Sequence, residues 1–220
     1  MVNCRKTSYF LQTQCHLFAV TKRGERMKLG NIAVVRSGLV LSRKQARESL
    51  GIKYPLLNLR SINPGGYVDA EQLDVFDAAE YLSLDYVSQV GDVIVRLSAP
   101  YTAILIDEAT AGMVVSSNFV IIRTDPREVL PEYLYWLINT PAMKRSIYEN
   151  TSSNMLGAIN AKYFADFEVP SLSISKQQKI ADMNALAMKE TLLLRRLVAE
   201  KERYYGLLIG HAHKEMKRGN

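Results

Sequence analysis

Between Ile180 and Leu208 apolar residues return at heptad spacing. Ile180, Met183, Ala187, Glu190, Leu194, Leu197, Lys201, Tyr204 and Leu208 occupy successive a and d positions, and seven of these nine are apolar or aromatic. A helix carrying that stripe from Lys176 to about Ile209 is roughly 50 Å long at 1.5 Å per residue. Ser175 is its expected N-cap, with Gln178 at the capping-box position. The roughly 150 residues ahead of it form a domain too small to cover so long a helix. The spacing therefore predicts a helix that projects and pairs with a partner helix. An amphipathic helix lying along its own domain is the plainer alternative.

The helix follows a sharp junction, "VPSLSISKQQKIAD", in which a β-like stretch stops at Pro170. The residues before it are mostly β-like too. "NIAVVRSG", "YPLLNLR", Asp92–Leu97, Thr102–Ile106 and two short runs in "GMVVSSNFVIIRTDP" are rich in Val and Ile and separated by turn residues. "LPEYLYWLIN" reads as a helix opened by Pro131 and interrupted at Pro141, with a second helix after it. The predicted fold class is α+β: a compact β-rich domain with flanking helices, then a long C-terminal coiled-coil helix. Residues 1–26 break the pattern and are expected to form a weakly structured extension. Deleting them should leave folding nearly unchanged. The domain is expected to span residues 27–174, and the helix and tail 175–220.

Charge is unevenly distributed. The net +6 conceals a basic segment at 28–60, with seven Lys/Arg against Glu48 alone, and a basic tail from Arg195. Residues 61–142 hold twelve acids against three bases. One face toward a polyanion and another toward a different partner would suit this polarity. No apolar run approaches a membrane span, and the N-terminus lacks the features of a secretory signal. Cys4 and Cys15 are the two cysteines, with no CxxC, as expected in a reducing cytoplasm.

Few residues suggest catalysis. The three histidines, His16, His211 and His213, all lie near the termini, so no Ser/His/Asp or Cys/His constellation can be placed in the globular part. "NPGGY" at Asn63–Tyr67 reads as a turn, and no phosphate-binding glycine loop occurs. Asp69, Glu71, Asp74, Asp77 and Glu80 lack basic or His companions nearby in sequence. They read as a solvated face, or alternatively as a protein-docking surface. A binder is expected, with no metal.

"MKLGNIAVVRSG", "VSQVGDVIVRLSAP", "LPEYLYWLIN", a polar Gly-containing loop and "FEVPSLSISKQQKIAD" occur in that order. The series resembles one target recognition domain plus one helical spacer of the specificity subunit of type I restriction-modification systems. The resemblance covers Met27 to about Leu208. Such subunits usually carry two recognition domains and two spacers, so this chain looks like a half-subunit.

The resemblance implies sequence-specific recognition of double-stranded DNA by a non-catalytic subunit with no cofactor of its own. It implies a DNA methyltransferase partner that supplies the S-adenosylmethionine site, with a translocating endonuclease subunit as an optional further partner. Reading DNA requires side chains at base edges backed by Lys/Arg on phosphates. Arg36, Arg43, Lys44, Arg47 and Lys53 lie in "RSGLVLSRKQARESLGIK". Of these, Arg36, Arg43, Lys44 and Arg47 are candidate DNA contacts, with Arg60, Arg96, Ser98, Tyr101, Asn118, Asn154 and Lys162. Ile180, Met183, Ala187, Leu194, Leu197, Tyr204 and Leu208 are the candidate dimerisation stripe, since a lone spacer helix would pair with a second copy. A protein-interaction scaffold that never touches DNA is the alternative function.

Overall fold

The computed structural model describes residues 26–46, 51–153 and 159–218. The expectation for the N-terminal extension up to residue 25, and those for Arg47 and Asn154, lie outside the described residues. Strands β1 (Arg26–Lys28) and β9 (Glu168–Pro170) pair antiparallel, with Met27 opposite Val169. The chain thus enters and leaves the β-rich unit side by side. Lys28 reaches Asp166 at 3.0 Å across this ribbon.

Two sheets lie between. β2 (Ala33–Ser37), β5 (Val93–Arg96), β6 (Ala103–Leu105) and β8 (Phe119–Thr124) form an antiparallel sheet in the order β2-β8-β5-β6. β3 (Ile52–Leu57) runs antiparallel to β4 (Asp74–Ala78) and parallel to β7 (Val114–Val115).

Alternate residues of a strand face opposite sides. Val93, Val95, Val120 and Ile122 join Tyr133, Leu134, Leu137 and Ile138 in one core. Ile94, Phe119 and Ile121 join Leu57, Ile104, Met113 and Val115 in a second. Both faces of β5 and β8 are therefore buried, which is why "VIV" and "FVII" are unbroken apolar runs. β4 hides within the acidic run: Phe76 and Ala78 are buried while Val75 is exposed.

Helices α1 (Pro131–Asn139) and α2 (Pro141–Ser153) each begin at a proline, as the sequence predicts. The short α3 (Ala161–Ala165) is capped by Asn160, whose side chain accepts from the Tyr163 N–H. The long helix α4 runs from Ile174 to Arg218, roughly 68 Å at 1.5 Å per residue. It starts earlier than the expected Ser175 cap. The Ser173 carbonyl already accepts from the N–H groups of Lys176 (2.9 Å) and Gln177 (3.0 Å), so Ser173 holds the cap position. The Gln178 side chain binds Asp182 at 2.8 Å instead of closing a capping box.

α4 lies along its own domain over its first turns and is exposed beyond them. Gln177 and Ala181 are buried, and Ile180, Asn184 and Met188 are half-buried against the domain. From Lys189 to Arg218 every residue is exposed. No helix among the described residues is long and apolar enough to cross a membrane.

Candidate nucleic-acid interface

One end of the four-stranded sheet gathers several of the expected contacts. Arg96, the last residue of β5, stands opposite Phe119, the first of β8, and Ser37 ends β2 opposite Val120. The loops leaving these strands are bonded together. Leu97 N–H donates to the Asn118 carbonyl at 3.0 Å, and Ser117 N–H to the Leu39 carbonyl at 2.8 Å. Gly38 makes this convergence possible. A Cβ there would lie 2.1 Å from the Ser116 carbonyl oxygen, so only glycine lets β2 exit past β7.

Arg96 is half-buried, and its Nε donates to Ser98 Oγ at 2.8 Å, which holds the guanidinium in the loop. Asn118 and Ser98 are exposed beside it. Tyr101 differs from expectation. It is 8% exposed and belongs to the core beneath the helices, so its ring packs inward instead of reaching a ligand. Its φ of 52° lies in the left-handed region, and the preceding Ala99–Pro100 peptide is cis.

Leu57 of β3 lies beside Val115 of β7 in parallel register, so Asn58 leaves its strand next to Ser116. Asn58 Oδ1 accepts from the N–H groups of Arg60 (2.8 Å) and Ser61 (2.9 Å). Its Nδ2 donates to Asp74 at 2.7 Å, and Arg60 Nη2 donates to the same carboxylate at 2.9 Å. Asn58 thus builds the turn that presents Arg60. Sequence reading missed it, although Asn two residues ahead of a strand-end arginine is an Asx-turn signal. Ser117, exposed between Ser116 and Asn118, was missed as well.

The acids of the middle segment partner the basic third. Asp85 pairs with Arg36, Glu80 with Lys44, and Asp74 with Arg60. The hydrogen bond and charge of Lys44 hold the Glu80 carboxyl below the usual range. The charge asymmetry along the sequence thus partly cancels in space. These are surface pairs of small individual worth, which a phosphate can displace. Arg43, exposed in the turn after β2, has no acidic partner within salt-bridge distance among the described residues. Lys162 lies elsewhere. It is exposed on α3, whose C-terminal end meets Leu29–Gly30 at the end of β2 away from Ser37.

The Gly-Asp pair before β5 has a structural task. Gly91 takes φ +85°, and the Asp92 carboxylate, 1% exposed, accepts from Arg123 at 2.8 and 3.2 Å and from the Gln89 N–H at 2.8 Å. Arg123 also donates to the carbonyls of Leu84 and Val87. This clamp lies at the end of β5 opposite Arg96. On α4, Leu194, Leu197, Tyr204 and Leu208 are exposed on the projecting part, as are Met183 and Ala187 nearer the domain. Ile180 instead packs against its own core, which takes it out of the expected stripe. His211 and His213 are exposed near the end of α4, and no group of three or more metal-ligating residues occurs among the described residues.

These features define a class: an α+β domain carried on a long helix, with arginines and amides gathered at one end of its sheet. Comparison with solved structures is more particular. The chain is similar to a protein from a structural study of complex assembly and conformational transition in the type I R-M system, with a TM-score of 0.60 and 19% identity over 90% of this chain. It is similar also to the HsdS subunit from Thermoanaerobacter tengcongensis, with a TM-score of 0.59 and 20% identity over 85% of this chain. The chain has the fold of about half of each of these proteins, covering 50% and 48% of their lengths respectively. No family model and no curated protein matches the sequence.

Proposed function

We propose that the chain acts in DNA specificity, as a non-catalytic specificity subunit of a type I restriction-modification complex. The supporting observation is the convergence of Arg60, Arg96 and Asn118 on one end of a domain with the HsdS fold. Arg96 and Asn118 read base edges there, while Arg43 and Lys44 hold phosphates. Two copies pair through the exposed stripe of α4, so that two domains read two inverted half-sites. A DNA methyltransferase subunit, which carries the S-adenosylmethionine site, docks on the assembly. A translocating endonuclease subunit completes it where one is present. The scaffold alternative is weakened because Asp74, Glu80 and Asp85 already have cationic partners within the chain.

A gel shift on random duplex DNA at several salt concentrations tests this reading. Arg43→Ala should lower the salt slope by about one ion. Adding Lys44→Ala should lower it by less than one more, because Glu80 already neutralises part of that charge. Absence of binding at low salt would favour the scaffold.

Arg96 tests readout separately. Once the target is known from methylation-sensitive sequencing of the host genome, Arg96→Ala should cost roughly 1–3 kcal/mol on the cognate site and little on random DNA. Equal losses on both would make Arg96 a phosphate contact.

A further inference from the structure

The paired glutamines of "SKQQKIAD" have opposite fates. Gln178 is exposed, whereas Gln177 is 1% exposed. Gln177 Oε1 accepts from the Leu130 N–H at 2.9 Å. Its Nε2 donates to the carbonyls of Glu128 (3.0 Å) and Leu172 (2.8 Å). Leu130 is the N-cap residue of α1, no side chain of its own caps that helix, and Pro131 follows it. A side chain from α4 therefore caps α1, and the same amide holds the linker between β9 and α4. Buried donors and acceptors left unmade are costly, so this bond set tolerates little displacement.

A second attachment lies on the same pair of helices. The Tyr135 hydroxyl of α1 is within hydrogen-bond distance of the Gly66 carbonyl and of Met188 Sδ on α4, at 3.1 Å each. Gln177 and Met188 are roughly 16 Å apart along the helix at 1.5 Å per residue. Two such points define the direction of α4. Beyond Arg195, whose guanidinium still reaches the Gly65 turn, the exposed part forms a lever of roughly 35 Å. A turn of about 10° at its base would move the far end by roughly 6 Å, close to the ~7 Å rise of two base pairs.

We infer that Gln177 is a positioning residue that sets the angle at which α4 leaves the recognition domain, and through it the gap accepted between two DNA half-sites. The second clause rests on the proposed function; the first does not.

The test uses the full chain with Cys4 and Cys15 changed to Ser. Spin labels are placed at Val90→Cys and Lys214→Cys, both exposed positions. Labelled protein is diluted with excess unlabelled protein, so that pulsed dipolar spectroscopy reads distances within one chain. Gln177→Met keeps the bulk and removes all three bonds. Its distance distribution should shift or spread by several ångströms while circular dichroism stays that of the parent. Gln178→Ala should leave the distribution unchanged. Should Gln177→Met fail to fold, Gln177→Glu, which keeps the acceptor for Leu130, is read in the same way. A folded variant that melts lower but retains the parent distances would show a merely structural role and overturn the inference.

Selection from a library of paired half-sites with variable gaps reads the second clause. The parent should select one gap and Gln177→Met several. A single shared gap overturns the link to spacing. Loss of DNA binding by the parent itself would instead sink the proposed function, leaving the distance measurement to decide the angle.

Discussion

Asp92→Ala should destabilise the domain by about 3–5 kcal/mol, because it leaves the Arg123 guanidinium without its charge partner in a largely buried site. At about 2–4 °C per kcal/mol for a domain of this size, thermal unfolding should fall by roughly 10 °C. The loss should not be additive with that of Arg123→Met. Removing both charges relieves the unpaired ion, so the double variant should be more stable than the sum of the single losses predicts, a coupling readable in a double-mutant cycle. Denaturant unfolding of the four proteins measures it. An Asp92→Ala variant within about 1 kcal/mol of the parent would show that water already replaces the carboxylate. DNA affinity per folded molecule should be unchanged, since the clamp and Arg96 occupy opposite ends of β5.

Leu194→Glu with Leu197→Glu should yield a folded monomer. Both side chains are exposed on α4, at 55% and 52%, and belong to no buried cluster of the domain. In the proposed pair they sit against the second copy, and burying four carboxylates there is prohibitive. Affinity for a two-part site should fall by about 10²–10⁴-fold, because the second domain is no longer tethered beside its half-site. Binding to a single half-site should persist. Light scattering decides the assembly: a parent protein that is monomeric at high concentration, or a double variant that stays dimeric, would sink the pairing.

Much was legible in the sequence for a local reason. Whether a strand or helix can form depends on residues close in the chain, so the apolar runs of β5 and β8 and the prolines opening α1 and α2 were readable directly. The heptad stripe likewise marked the long helix. β4 escaped notice because only Phe76 and Ala78 carry its inward face, among acids that read as a solvated surface. The pleat decided which residues it hid.

The site was less legible. Strand ends far apart in sequence come together only through register, so Arg60, Arg96 and Asn118 share one end while Lys162 goes elsewhere. Tyr101 looked like a loop contact, yet the loop's turn directs its ring into the core. The cations of the basic segment looked free because their acidic partners lie 14 to 49 residues away. Local chemistry, then, determined the elements and the class of fold: alternation, capping and heptad spacing act over a few residues. Tertiary structure alone decided which charges remain open to a ligand, why Gly38 is required, and that Gln177 and not Gln178 is buried. Each of those outcomes depends on what packs against the residue from a distant part of the chain, which no short window of sequence contains.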